Sequence, residues 1–313
     1  MRELISTATK IDFMGKRYLC MVLSLIAVAA SVYVFIQKGD TKYGTDFTGG
    51  NEFLVSFTGD FDSEKIRAGL ASQQIPDARV QAFQGAASEY SIRLSEAGSS
   101  DEIRAKVENA LRGAFGDSFK IQKTDYVGPT VGRELRESAL TAVVLGILGM
   151  LIYIAVRFEF ALGVGTIVAL MHDVTIATGI YVASGHLIGM ATLAGALTIV
   201  GYSVNDTVVI FDRVREEKAK RRSYKLVDVV NEAINFTLSR TVITHVLTLI
   251  SALALYIIGD GEIKDLSLYL VAGIVLGAYS TIFIVSPIVV LLEGRKSEKT
   301  TATVRDAQAA SRA

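Results

Sequence analysis

Residues 190–212 read MATLAGALTIVGYSVNDTVVIFD, an apolar run that contains the polar segment 202–207. A helix needs about 20 residues to cross about 30 Å of hydrocarbon, and this run has that length. A carboxylate such as Asp206 costs about 2.5–3.5 kcal/mol at the bilayer centre, so it must face other helices or water. The stretch therefore predicts a membrane-spanning helix with a functional polar side, packed inside a bundle.

Five further apolar runs predict five more spans. The six predicted spans cover residues 18–36, 138–156, 160–182, 190–212, 241–258 and 266–291. Half of the 313 residues are hydrophobic, and the formal net charge is zero, which gives no indication of a nucleic-acid partner. The single cysteine, Cys20, cannot form an internal disulfide. The composition thus predicts a polytopic α-helical membrane protein.

The first run has two interpretations. It follows Lys10, Lys16 and Arg17, and its segment 27–29 reads Ala-Val-Ala, which resembles the cleavage site of a signal peptide. However, the apolar residues continue to Ile36 and reach spanning length. A retained anchor is therefore the favoured interpretation.

Basic residues predict the orientation of the spans. Loop 213–240 carries eight Lys and Arg, loop 183–189 carries none, and the tail after Gly294 is again basic. The positive-inside rule places both termini in the cytoplasm. Within loop 213–240, apolar residues recur at helical spacing from 226 to 238 and predict an amphipathic helix that lies on the cytoplasmic face and runs into the fifth span. The alternatives for its basic flank are anionic lipid, a partner and water, of which water is the favoured interpretation.

The segment between the first two spans is too long for a simple connection. Its pattern predicts strand 51–57, helix 62–74, strands 79–84 and 89–94, a helix beginning at a Ser99–Glu102 capping box, and strand 119–127. This order fits a ferredoxin-like α+β module. The expected domains are 1–37 (cytoplasmic N-terminus and first span), 38–137 (extracytoplasmic, periplasmic module), 138–292 (spans two to six) and 293–313 (a disordered cytoplasmic tail).

Polar and charged residues inside the spans form the candidate site. These are His172 and Asp173 in the third span, Asn205, Asp206 and Thr207 in the fourth, and Arg240 at the start of the fifth, followed by the polar stripe Thr241, Thr244, His245, Thr248 and Ser251. At about 1.5 Å per residue, Asp206 lies about 9 Å from the cytoplasmic end of its span, and Asp173 about 20 Å. The sequence predicts that Arg240 snorkels inward to pair directly with Asp206. Asp173 is expected at a different level.

Titratable groups at several depths favour ion movement, with H⁺ as the expected coupling ion. The alternative is a static ion pair that only holds helices together. For His245 alone, the favoured interpretation is a hydrogen-bonded packing role. Pro287 predicts a kink in the sixth span.

Enzyme motifs are missing from the sequence. It contains no P-loop, no H-E-x-x-H and no G-x-S-x-G. The glycine-rich segment 44–50 lacks the lysine of a phosphate-binding loop and predicts a tight turn. We expect no enzymatic activity, cofactor or metal.

Six short motifs occur in order along the chain. They are Gly44-Thr45-Asp46-Phe47-Thr48-Gly49-Gly50, Val127-Gly128-Pro129-Thr130-Val131-Gly132, Val156-Arg157-Phe158-Glu159, His172-Asp173-Val174, Gly201-Tyr202-Ser203-Val204-Asn205-Asp206-Thr207-Val208-Val209 with Phe211-Asp212-Arg213, and Arg240-Thr241. With them the chain resembles the SecF branch of the SecD/SecF protein-export family, in the RND superfamily, from the first span to about Glu293. His245 departs from the family, whose members often carry Ser there.

The resemblance implies one half of a twelve-helix arrangement, with SecD supplying the other six spans. It implies that the pair helps the SecYEG channel, possibly with YajC, to move preproteins across the bacterial inner membrane at a late stage driven by the proton motive force. Residues matching Asp206 and Arg240 are implicated in proton conduction in the family. The rival hypotheses are an RND-type half-transporter that exports small molecules or lipids by proton antiport, and a structural scaffold.

Overall fold

A computed structural model describes residues 10–59, 61–82, 88–94, 100–157, 159–221, 225–259 and 261–293. Contacts within the chain divide it into two compact units. The first unit comprises 1–33, 145–179 and 194–313, and the second comprises 34–144 and 180–193. Ser99 of the predicted capping box, residues 83–84 of a predicted strand and residues 294–313 of the predicted disordered tail lie outside the described residues.

Six helices in the described chain are long and apolar enough to cross a membrane, which confirms the predicted number of spans. They are α1 (Arg17–Gln37), α5 (Pro129–Arg157), α6 (Phe160–Ala183), α7 (Met190–Ala219), α8 (Leu226–Ile258) and α9 (Gly261–Ser280). Between α1 and α5 lie three shorter helices, α2 (Thr45–Thr48), α3 (Ser63–Ser72) and α4 (Ser100–Phe115).

Several helices are longer than the predicted spans. Helix α5 begins at Pro129 rather than at 138, because proline suits a first helical position and the charged residues 133–137 remain helical while their side chains reach solvent. Helix α7 continues to Ala219 rather than ending at 212. There the guanidinium of Arg213 pairs with two carboxylates, with 2.8 Å between Nη1 and Glu216 Oε2 and 2.7 Å between Nη2 and Glu217 Oε1. Ion pairs at this spacing stabilise a helix and allow it to continue past the apolar run.

The predicted basic loop 213–240 is mostly helical. The amphipathic segment and the fifth span form the single helix α8, as the pattern indicated, so only residues 220–225 connect α7 to α8. The basic residues are not simply solvated as expected. Lys218 pairs with Glu293 and Arg221 pairs with Glu232, because the ends of the helices bring carboxylates within reach.

The apolar face of α8 packs inside the first unit. Val229, Val230 and Ala233 are completely buried in a cluster with Met14. The segment before α1 is also hydrogen-bonded to α8, since Asn235 Oδ1 accepts from the Ile11 N–H at 2.9 Å and Asn231 Oδ1 accepts from the Phe13 N–H at 2.9 Å. The segment before α1 is thus held against α8.

The sixth span changes its helical form near its end. Helix α9 passes into a π-helical turn, Thr281–Val285, and the chain remains helical to residue 293. Ser286 Oγ donates to the Thr281 carbonyl at 3.0 Å. Proline lacks an N–H and disturbs the preceding turn of a helix, so the irregular turn lies just before Pro287, where a kink was predicted.

The second unit contains a four-stranded antiparallel sheet. Its strands are β1 (Gly50–Phe57), β2 (Arg79–Ala82), β3 (Glu89–Leu94) and β4 (Phe119–Val127), in the order β2-β3-β1-β4. Helices α3 and α4 cover the sheet with Ile66, Leu70, Val107 and Leu111, all completely buried. The side chain of Asp62 accepts from the Lys65 N–H at 2.7 Å and caps the start of α3.

Candidate functional site

One buried carboxylate joins three of the spanning helices. Asp173 on α6 is completely buried. Its Oδ2 accepts from Ser203 Oγ of α7 at 2.9 Å and from Ser280 Oγ of α9 at 2.7 Å. Its Oδ1 lies 2.9 Å from His172 Nδ1, so both carboxylate oxygens have polar partners. These contacts provide the hydrogen bonds that a buried carboxylate requires.

The His172 ring extends this cluster towards α1. It stacks on Tyr279 with ring centroids 6.0 Å apart, and the Tyr279 hydroxyl donates to the Cys20 carbonyl at 2.7 Å. That hydroxyl also lies 2.9 Å from Ser24 Oγ. Because Asp173 Oδ1 accepts, His172 Nδ1 carries the proton, while its Nε2 has no hydrogen-bond partner among the described residues.

The second carboxylate, Asp206 on α7, lies beside a histidine of α8. Asp206 is 5% exposed, and its Oδ2 lies 3.1 Å from His245 Nδ1. That nitrogen also lies 2.9 Å from the Thr241 carbonyl, which can only accept, so Nδ1 carries the proton. Within the described chain, neither Asp206 Oδ2 nor His245 Nε2 makes a well-aligned hydrogen bond. The Oδ2 atom of Asp206 is therefore poorly satisfied.

An aromatic ring completes the surroundings of His245. Tyr202 meets the imidazole edge to face, with ring centroids 5.0 Å apart and planes at 72°. The Tyr202 hydroxyl donates to Thr248 Oγ1 at 3.2 Å. The Tyr202 ring of α7 is thus fixed against two residues of α8, His245 and Thr248.

The predicted direct pair between Asp206 and Arg240 does not form. The side chain in contact with Asp206 is His245, and Arg240 is exposed. Asp206 lies 13 residues before the end of α7, about 20 Å along its axis, and it meets α8 at His245, five residues beyond Arg240.

The two carboxylates are also closer in level than predicted. Ser203, which donates to Asp173, precedes Asp206 by three residues on α7, or about 4.5 Å along the axis. Thr207 Oγ1 lies 3.1 Å from Thr281 Oγ1, next to the Ser280 that also donates to Asp173. Asp206 and the group that holds Asp173 are thus about one helical turn apart along α7.

Two predicted site features lie outside this cluster. Asn205 is exposed and lines a separate groove with Gly146, Met150 and Tyr153. In the polar stripe of α8, Thr241 and His245 are buried, but Ser251 is exposed. The hydroxyls of Thr244, Thr248 and Ser251 donate to carbonyls four residues earlier, at 2.8–3.1 Å.

Sequence reasoning missed the contribution of the sixth span. Ser280, Thr281 and Tyr279 all contact the cluster, and none was singled out. The signal was present as three consecutive polar residues within an apolar run, six to eight residues before Pro287.

The glycine-rich motif 44–50 has a structural role in the second unit. It forms the short helix α2 rather than a simple turn, and Gly49 has a φ of 70°, in the region that glycine favours. Asp46 Oδ2 accepts from the Met190 N–H at 2.8 Å, at the start of α7, where helix N–H groups lack partners. A Cβ on Gly132 would lie 3.1 Å from the Gly49 nitrogen, so the motifs around residues 44–50 and 127–132 pack closely.

Six spanning helices around buried titratable groups define a multi-pass membrane protein with a polar core. Residues 106–295 match the family described as "Protein export membrane protein SecD/SecF, C-terminal". The chain therefore belongs to the SecD/SecF family, whose members serve as accessory subunits in Sec protein export.

Individual relatives agree with this assignment. The chain is 36% identical over 299 residues to the protein translocase subunit SecF of Calditerrivibrio nitroreducens, covering 93% of this chain and 97% of that one. It is 38% identical to SecF of Rickettsia prowazekii, covering 92% and 93%. Protein translocase subunit SecDF of Brucella abortus is 37% identical, but the match covers 92% of this chain and only 38% of that protein.

A solved structure gives the same relationship. The crystal structure of SecDF from Thermus thermophilus, described as a translocon-associated membrane protein, matches with a TM-score of 0.82 and 35% identity. The match covers 92% of this chain and 39% of that one. The chain thus spans about two fifths of the SecDF proteins and nearly the full length of the SecF proteins.

Proposed function

We propose that this chain works with a SecD partner to couple proton flow to a late stage of preprotein transport through the SecYEG channel. The observation that carries the proposal is the poorly satisfied pair of Asp206 and His245, with 3.1 Å between Oδ2 and Nδ1 in a buried place between two spanning helices. A fully satisfied ion pair would favour one fixed arrangement. An incompletely satisfied pair changes its contacts when a proton arrives or leaves.

The chemistry of a proton step follows from the atoms of this pair. His245 Nδ1 donates to the Thr241 carbonyl, so Nε2 is the nitrogen that accepts a proton. The resulting imidazolium attracts the Asp206 carboxylate. Loss of that proton leaves a carboxylate of 5% exposure without an opposite charge in contact, which favours protonation of Asp206 or movement of α8 relative to α7.

Arg240 is the proposed counter-charge on the cytoplasmic side. It precedes His245 by five residues on α8, about 7.5 Å along the axis. A movement of α8 along α7 by about 7.5 Å, together with rotation of α8 about its axis, exchanges His245 for Arg240 beside Asp206. Asp173, about one turn away, has polar partners on both oxygens, so we assign it the role of holding α6, α7 and α9 in place around this pair.

The remaining parts of the chain are assigned in agreement with this role. The sheet order β2-β3-β1-β4 with two covering helices supports a ferredoxin-like domain, which we place outside the cytoplasm to meet the emerging preprotein. Basic residues near the α7–α8 connection support cytoplasmic termini in a bacterial inner membrane. Exposed apolar side chains on α1 and α5, such as Leu25 (70%) and Leu145 (62%), provide surface for lipid and for SecD, with YajC as a further partner.

The test compares Asp206→Asn, Arg240→Met and wild type in inverted membrane vesicles containing SecD and SecYEG, at matched protein levels. The readout is completion of preprotein translocation after ATP is exhausted, with and without a proton gradient. We expect the gradient to accelerate completion for wild type only. Asp228→Asn, which removes an exposed carboxylate from the first turn of α8, is the control and should respond like wild type.

A response of Asp206→Asn equal to that of wild type would mean that the pair is a static contact between helices. The proton role would then be wrong, while the assignment to protein export would remain. Loss of the response in Asp228→Asn as well would also contradict the proposal, because any change of charge on α8 would then have the same effect.

A further inference from the structure

The second unit encloses a cavity whose charged lining residues are all cationic. Its volume is about 560 Å³, within the range of small-ligand sites. It is lined by residues that follow α1, by residues of α3, β2 and β3, and by the end of α6. The basic residues in the lining are Lys38, Lys42, Arg67, Arg79, Arg93 and His186. No Asp or Glu is among the described lining residues, so the lining carries a net positive charge.

None of the five Lys and Arg residues forms a salt bridge with a carboxylate in the described part of the chain. Lys42 is the clearest case, because it is only 8% exposed. Its Nζ donates to the Gly39 carbonyl at 2.7 Å and lies 4.0 Å from the centre of the Phe35 ring. Buried cations are ordinarily paired with an anion, and this one has only neutral partners.

Arg93 is a second buried cation in the lining of the cavity that makes no salt bridge within the described ranges. It is 6% exposed, and its guanidinium donates to the Tyr43 carbonyl at 2.8 Å and to Gln81 Oε1 at 3.3 Å. Its buried Nε has no hydrogen-bond partner among the described residues. Burial lowers the pKa of Arg93, and the nearby carboxylate of Glu52 opposes that change.

Glu52 acts on Arg93 only from a distance. It stands opposite Arg93 in the register of β1 and β3, but its two oxygens accept from Ser91 Oγ at 2.6 Å and from Thr45 Oγ1 at 3.0 Å. The guanidinium therefore makes no salt bridge with Glu52, and its Nε–H still lacks an acceptor among the described residues. A phosphate group, with several acceptor oxygens, matches the donors of two arginines and a lysine.

The position of the cavity indicates the source of the phosphate. Lys38 directly follows the last residue of α1, and residues 182 and 183 of the lining end α6. Both helices cross the membrane, so the cavity lies where the spans meet the polar surface of the bilayer. Phospholipid phosphates occupy that level, and clustered Lys and Arg residues there attract anionic lipids.

We propose that this cavity binds the phosphate of an anionic phospholipid headgroup through Lys42 and Arg93, with Lys38 and Arg79 at its entrance. An acidic polypeptide segment is the competing occupant. The lipid is favoured because the cationic lining begins at the first residue beyond α1. This inference does not depend on the proton role of Asp206.

The test titrates short-chain phosphatidylglycerol into the detergent-purified full chain and measures the Kd by native mass spectrometry. Phosphatidylcholine of the same chain length, inorganic phosphate and a hexaglutamate peptide are titrated in parallel. We expect phosphatidylglycerol to bind at least about tenfold more tightly than the other three probes. Equal binding of the two lipids would overturn the proposal. Tighter binding of inorganic phosphate would assign the site to free phosphate, and tighter binding of the peptide would assign it to an acidic chain; both results would also overturn it.

The variant Lys38→Gln/Arg79→Gln assigns binding to this cavity without disturbing the core, because both side chains are exposed. We expect its Kd for phosphatidylglycerol to rise about tenfold. Arg112→Gln/Lys120→Gln removes the same charge from exposed positions of α4 and β4 and should bind like wild type. Equal Kd values for the two double variants would contradict the assignment.

Discussion

Asp173 and Asp206 are two buried carboxylates about one helical turn apart, yet their surroundings differ. Asp173 accepts from two serine hydroxyls and lies 2.9 Å from a histidine nitrogen, so both of its oxygens are satisfied. Asp206 has one histidine at 3.1 Å and no well-aligned bond to its Oδ2. The difference indicates that the Asp173 cluster holds α6, α7 and α9 together, whereas the surroundings of Asp206 can rearrange at small cost.

The largest expected loss in the free energy of unfolding comes from Asp173→Ala. The substitution removes the acceptor for Ser203 and Ser280 and leaves buried polar groups without partners. We expect a loss of about 3–5 kcal/mol in the free energy of unfolding, measured by denaturant titration in detergent micelles. Asp228→Ala, at an exposed position of α8, serves as the control. A loss below about 1 kcal/mol for Asp173→Ala would remove the contrast between the two carboxylates.

A smaller effect is expected from Gly277→Ala. A Cβ at residue 277 would lie 3.3 Å from Ser203 Cβ, so α7 must shift by a few tenths of an ångström and weaken the bond from Ser203 to Asp173. We expect a loss of about 1–3 kcal/mol in the same titration. Gly149→Ala, where a Cβ would meet nothing within 4 Å, is the matched control. Equal stability of the two variants would show that the cluster tolerates displacement of Ser203.

The smallest change in stability is expected from Asp206→Asn. The amide has nearly the same shape, and the oxygen beside His245 has no well-aligned bond to lose. We expect the free energy of unfolding to change by less than about 1 kcal/mol, although proton-gradient coupling is lost. The comparison becomes sharper with Asp173→Asn, which should cost more because Oδ2 accepts two hydrogen bonds. The reverse order would contradict the structural assignment of Asp173.

Hydropathy and strand patterns were sufficient for the six spans and for most of the strands. Strands 89–94 and 119–127 have the predicted bounds, and in the first of them Tyr90, Ile92 and Leu94 alternate with polar residues as strand geometry requires. Helix ends were less predictable. Charged residues such as Arg213 stop an apolar run but do not stop a helix when carboxylates follow at helical spacing.

The site was predicted in its residue types but not in its pairing. Polar residues are energetically costly inside a span and therefore mark a functional or structural role, which is why the sequence identified Asp173, His172, Asp206 and Thr207. Their partners depend on helix rotation and on length outside the span, which hydropathy does not report. The assignment of His245 rather than Arg240 to Asp206 therefore required the three-dimensional arrangement.

The hydrogen bonds from Asn231 and Asn235 to residues 11–13 also have a consequence for biogenesis. The two sides of the Ile11–Asn235 contact are 224 residues apart in the chain. At about 5–20 residues per second, a ribosome makes the second partner roughly 10–45 s after the first. Helix α1 is therefore made long before the segment that precedes it can dock, and final assembly of the bundle must await synthesis of α8.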